Sequence, residues 1–118
     1  MKVPVILSAT KNLLFVAALL FAPLALAAGS AEKGKTAFVK HGCWQCHGFG
    51  GQGGVAGPKL APDPMPLEAM SAFVRNTRGG MPPYQAAILS DGDLADIHAY
   101  LQSLPKARDY KSIPLLNP

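Results

Sequence analysis

Residues 43–47 read Cys43-Trp44-Gln45-Cys46-His47, a CxxCH pentad. Two thiols on one tight turn can each add to a haem vinyl group, and the histidine that follows can turn its imidazole to the iron. Five consecutive residues thus supply covalent attachment and one axial ligand, which is the signature of c-type haem attachment. The chain has no other cysteine among its 118 residues. A framework of several disulfides is therefore excluded, and no second Cys/His cluster offers the four ligands of a tetrahedral zinc site. A dithiol redox centre would bring a thioredoxin-like βαβ pattern, which the sequence lacks.

Upstream of the pentad, Lys2 and Lys11 flank a short lead, and Leu13 to Ala28 (LLFVAALLFAPLALAA) carries no charge, is broken by Pro23 and closes on small residues. A basic start, an apolar middle and the AxA-like Ala25-Leu26-Ala27 predict a cleavable secretory signal over residues 1–27, with the cut after Ala27 or Ala28. The run falls short of the roughly 20 apolar residues a membrane helix needs. The expectation is export to the periplasm with no stable membrane span after cleavage. In an oxidising compartment free thiols rarely persist, so Cys43 and Cys46 must be bonded to something.

The formal charge of +4 contains no run of five basic residues, which sets nucleic acid aside as a partner. Residues 28–118 hold twelve Gly and nine Pro but only eight Val, Ile and Thr. Little material is left for a sheet, and the expected fold is all-α, with three to four short helices joined by long Gly/Pro-rich loops. A first helix is predicted from Ala31 to about His41, capped by Ser30 and stopped by Gly42. Gly34 inside it makes sense where another backbone must come close. A central helix is predicted from about Pro64 to Arg78, with Pro64 and Pro66 in its first turn and Leu67, Met70, Phe73 and Val74 on one side. The last helix starts at Ser90 with Asp93 three residues on, carries Leu94, Ile97, Leu101 and Leu104 at helical spacing, and ends at Pro105.

A haem iron held by His47 needs a sixth ligand, and thioether or imidazole commonly supplies it. The candidates are Met65, Met70, Met81, His41 and His98. Met81 is the best placed. It lies in Gly79-Gly80-Met81-Pro82-Pro83-Tyr84, where glycines admit a close backbone and two prolines stiffen the segment. Met70 falls on the apolar side of a helix and reads as core filling. Met65 sits in a proline cluster, His41 is too near Cys43 to cross the ring, and His98 flanks the Leu94/Leu101 stripe with no loop to carry it in. Both histidines read as ordinary, partly exposed side chains. The glycine run Gly48 to Gly57 lacks the GK[ST] ending of a phosphate loop and reads as backbone packed against the porphyrin edge.

Taken together, the pentad near the mature N-terminus, Gly57-Pro58-Lys59-Leu60, the Met81-Pro82 loop and Ala99-Tyr100-Leu101 in the last helix resemble the class I cytochromes c, over nearly all of residues 30 to 104. The resemblance implies that fold, wrapped around one haem c held through Cys43 and Cys46 and ligated by His47 and Met81. It also implies that Gly34 and Phe38 pack on Tyr100 where the terminal helices cross, and that the Pro58 carbonyl accepts a hydrogen bond from the His47 ring. Four-helix cytochromes of the c-prime type carry CxxCH near the C-terminus, so the position of Cys43 argues against that bundle.

The expected domain spans residues 28–105, followed by an extension over 106–118 with Ile113, Leu115 and Leu116 between prolines. The expected function is that of a one-electron carrier, not an enzyme in its own right, passing electrons between periplasmic partners such as a dehydrogenase and the respiratory chain. A haem sensor or peroxidase-like protein with an open sixth site is the alternative. The extension either docks on a larger oxidoreductase or straps the domain's own surface. Arg75, Arg78 and Lys59 are candidates for steering an acidic partner along the haem edge.

Overall fold

Ser30 leaves extended backbone (φ −88°, ψ 119°) and its side chain accepts from the Lys33 amide at 3.4 Å, opening helix α1 over Ala31–Lys40. Its amide donates to Asp96 Oδ1 at 2.6 Å, fixing the helix entry to a distant part of the chain. Glu32 in the first turn and Lys40 in the last oppose the helix dipole with the favourable signs. Gly42 takes φ +75° and ends the helix where the sequence predicts. The structure, a computed structural model, describes residues 29–117, so the predicted export signal and both of its cut positions lie outside the described residues.

A single helical turn, α2, follows at Trp44–His47. Helix α3 spans Leu67–Asn76, two to three residues shorter at each end than expected. Pro64 and Pro66 lie before it, not in its first turn. Each proline forces the residue ahead of it out of the helical region, so Met65 cannot begin a helix, and Pro66 itself caps α3 at ψ 141°. At the other end Thr77 (ψ 148°) stops the helix ahead of the glycines. Of the predicted apolar side, Met70 and Val74 are buried while Leu67 and Phe73 are exposed.

Helix α4 spans Asp91–Ser103, and the Asp93 amide donates to Ser90 Oγ at 3.0 Å. The Asp93 carboxylate faces His41 instead of reaching back to close a capping box, with Oδ2 3.7 Å from Nε2. Leu94, Ile97 and Leu101 are buried as expected, and Tyr100 joins them. Among the described residues there are helices and no strand, which bears out the all-α expectation.

The core forms where α1 crosses α4. A Cβ on Gly34 would overlap the Asp96 carbonyl, so this position admits only glycine if the helices are to meet. Phe38, fully buried, sets its ring 5.7 Å from that of Tyr100 at a tilt of 58°. Burying such a ring contributes about 1.5–3 kcal/mol, and tilted aromatic pairs add to it. A Cβ on Gly34 would also lie 2.8 Å from Tyr100 Cβ, so Gly34 and Phe38 both meet Tyr100 as the resemblance implied, and Asp96 is a further neighbour of Gly34.

Beyond α4 the extension forms two 3₁₀ turns, Tyr110–Ser112 and Pro114–Leu116, and buries no residue in either. Asn117 Nδ2 closes back on the Tyr110 carbonyl at 2.7 Å, and Leu115 and Leu116 stand exposed. No helix of the described residues is long and apolar enough to cross a membrane.

Candidate haem site

The pentad is held as a helical turn by its own backbone. Cys43 is in helical conformation, the His47 amide donates to the Cys43 carbonyl at 3.0 Å, and the Gly48 amide donates to that of Trp44 at 2.9 Å. Residues three apart on a helix share a side, so Cys43 and Cys46 come together. The two are not joined in a disulfide, and Cys43 is half-buried while Cys46 is exposed. Burial pushes the Cys43 thiol above its ordinary range, and neighbouring Cys46 raises it further. The Trp44 and Phe49 rings stack 4.4 Å apart at 13°, bracing the turn where it runs into the glycine loop.

His47 is the one buried polar residue of the described core, 7% exposed. Its Nδ1 lies 2.7 Å from the Pro58 carbonyl oxygen. A carbonyl only accepts, so Nδ1 is the donor of this contact, and in the neutral ring the lone pair then lies on Nε2. The contact fixes the ring at the cavity with Nε2 as the nitrogen left for ligation. Gly57 makes the approach possible, since a Cβ there would sit 2.9 Å from Nδ1 and 3.0 Å from the Cys46 carbonyl oxygen.

Cys43, Cys46, His47 and Met81 line one cavity of about 390 Å³, within the roughly 300–1,000 Å³ of cofactor pockets. Its walls are mainly apolar, with Phe38, Leu94 and Leu101 reaching it from the core. Two thiols, an oriented imidazole and a thioether around an apolar cavity are a donor set that fits c-type haem.

Met81 is half-buried and packs on the core, and its carbonyl accepts from Thr77 Oγ1 at 2.8 Å. Met65 and Met70 line the cavity too. Met70 is buried within the core, as its helical position suggested, whereas Met65 is exposed and its carbonyl accepts from His98 Nε2 at 3.0 Å. Neither His41 nor His98 lines the cavity. His41 is a partly exposed residue, as expected, although its side chain turns inward, 6% exposed, to face Asp93 with a buried Nε2 that makes no hydrogen bond.

Two further expectations change. Of the run Gly48 to Gly57 only Ala56 and Gly57 line the cavity. The rest folds on itself and on the core: the Gly53 amide donates to the His47 carbonyl at 2.8 Å, and the Gly51 carbonyl accepts from Leu60 and Ala61 at 2.8 and 3.0 Å. Arg75 is not a free steering charge. Its guanidinium donates to the Tyr84 carbonyl at 2.8 Å and to Asp91 Oδ1 at 2.7 Å. Sequence reasoning also passed over Tyr84, although its place directly after Pro82-Pro83 marks it as the anchor of the methionine loop.

The family described as cytochrome c oxidase, cbb3-type, subunit III has a model that matches residues 29–101 of this chain, and the chain belongs to that family of c-type cytochrome domains. Its fold is that of a small monohaem class I cytochrome c, a unit whose role is haem-based electron transfer. No curated protein and no solved structure matches the chain.

Proposed function

We propose that this cytochrome domain is an exported one-electron carrier of the periplasm in which Cys43 and Cys46 hold one haem c by thioether bonds and His47 and Met81 ligate its iron. The observation that carries the reading is the 2.7 Å contact of His47 Nδ1 with the Pro58 carbonyl, at a cavity that Met81 and both thiols also line. Haem c bound there supplies one reversible electron at its iron. The chain's residues do the rest. Pro58 holds the His47 proton on Nδ1 and so keeps Nε2 basic. Met81 would be the second protein ligand of the iron and so leave no position for oxygen or peroxide, and a thioether ligand would raise the reduction potential relative to a second histidine. The apolar walls drawn from Phe38, Leu94 and Leu101 keep water out, which disfavours the extra positive charge of the ferric state.

Export rests on the signal-like pattern of residues 1–27, and the periplasm is also where two otherwise unpaired thiols call for a covalent partner. The redox partners are a periplasmic dehydrogenase, or another redox protein, and an acceptor of the respiratory chain. The exposed Leu115 and Leu116 support docking of the extension on a larger partner. Carbon monoxide tests the ligation: the reduced protein should resist it, and rapid binding would favour a sensor or peroxidase-like protein instead. Removal of residues 110–118 should slow electron delivery and leave the haem spectrum unchanged, and unchanged transfer rates would remove the docking role.

A further inference from the structure

The loop that carries Met81 begins at Gly79 and Gly80, and Gly80 lines the cavity. A Cβ built on Gly79 or Gly80 meets no atom within 4 Å, and Gly79 takes φ +116°. On that side the loop is held by Thr77, whose Oγ1 donates to the Met81 carbonyl at 2.8 Å. On the other side Pro82 and Pro83, with φ locked by their rings, form a stiff two-residue spacer between Met81 and Tyr84. Tyr84 is fixed at three points. Its amide donates to the Val74 carbonyl at 3.0 Å, its hydroxyl donates to the His41 carbonyl at 2.8 Å, and its carbonyl accepts from Arg75 Nη1 at 2.8 Å. Arg75 is in turn held by Asp91 Oδ1 at 2.7 Å, at the start of α4. The Tyr84 hydroxyl reaches the residue that ends α1, so one residue ties the loop to α1, α3 and α4.

We propose that Arg75 and Tyr84 are positioning residues for the iron ligand, clamping the end of the loop so that Met81 stays at the cavity and resists displacement. The inference rests on Met81 as ligand. Neither residue touches the iron; each acts through the backbone of the loop. A guanidinium is the group for the task because two of its nitrogens donate at once, to a carbonyl and to a carboxylate, which an ammonium cannot reproduce with the same geometry. A hydrogen bond from a charged donor is among the stronger ones, and its loss should be read in how often the loop opens.

The test is the rate at which imidazole enters the ferric holoprotein and displaces the sulfur, followed by loss of the weak far-red sulfur-to-iron band. Arg75→Met keeps the bulk and removes both hydrogen bonds, and should accelerate entry about tenfold or more. Tyr84→Phe, which removes only the hydroxyl tether, should accelerate it less, and Arg75→Lys should fall between wild type and Arg75→Met. Arg108→Met, in the extension, should leave the rate unchanged. Far-ultraviolet circular dichroism identical to wild type shows that the rates report the loop and not the fold. Equal rates for wild type and Met81→Ala would remove Met81 as ligand, and the proposal with it. A slow wild type whose rate Arg75→Met and Tyr84→Phe both match would overturn the positioning role alone and leave the ligation standing.

Discussion

The Pro58 carbonyl oxygen lies 2.7 Å from His47 Nδ1, eleven residues back along the chain. That one contact decides which ring nitrogen is available and holds the ring at the cavity. The Gly53 amide, which donates to the His47 carbonyl at 2.8 Å, fixes the backbone of the same residue. The glycine loop therefore serves the ligand from behind more than it lines the pocket.

Gly57→Val tests this arrangement. A side chain at that position would press on Nδ1 and on the Cys46 carbonyl, whose distances from a Cβ are already 2.9 and 3.0 Å. Weakening the bond to Pro58 makes the imidazole a poorer donor to ferric iron, so the reduction potential should rise by some tens of millivolts, a tenfold change in relative affinity being about 59 mV for one electron. Potentiometric titration checks it, and an unchanged potential would contradict the role given to Pro58.

At the helix crossing, Gly34→Leu should lower stability by about 1–3 kcal/mol or more, because its Cβ would overlap the backbone of Asp96 and the helices must separate. The denaturant midpoint of the holoprotein reads the effect, and a midpoint equal to wild type would mean that α1 and α4 do not meet as described.

Haem removal should unfold the domain. Phe38, Leu94 and Leu101 serve the core and the cavity wall at once, and a domain this small has little other apolar surface to bury. A Cys43→Ala/Cys46→Ala double variant should show mostly unstructured circular dichroism. A cooperative thermal transition in that variant would refute the dependence.

Tyr84 gives a signed pH dependence. Burial pushes its hydroxyl above the ordinary 10.0. The folded state thus favours the neutral phenol more than the unfolded chain does. Its contribution is fully present below pH about 10 and is lost as pH rises through the higher folded value. The stability difference between wild type and Tyr84→Phe should be flat from neutral pH to about 10 and shrink above it. A difference that grows with alkali would reverse the assignment.

Much of this was legible in the chain because it is written locally. The caps at Ser30 and Ser90, the stop at Gly42, the α4 stripe and the pentad each depend on residues within a turn or two of one another. Gly34 was legible for a different reason: glycine inside a helix is costly unless something must come near, and Asp96 does. What escaped depends on separations that spacing does not encode. The Tyr84 hydroxyl bonds a carbonyl 43 positions away, and Arg75 chooses between solvent and two acceptors only once α3 and α4 are side by side. Helix α3 starts later than the proline pattern suggests because Pro66 disfavours a helical Met65 and stands as the cap instead of in the first turn.

The most direct test of the account is the ferric absorption spectrum of the protein purified from an export-competent host. The account requires a coloured protein with haem that acid and organic solvent do not extract and a weak far-red sulfur-to-iron band that Met81→Ala abolishes. Colourless material, or a band that survives Met81→Ala, would contradict it.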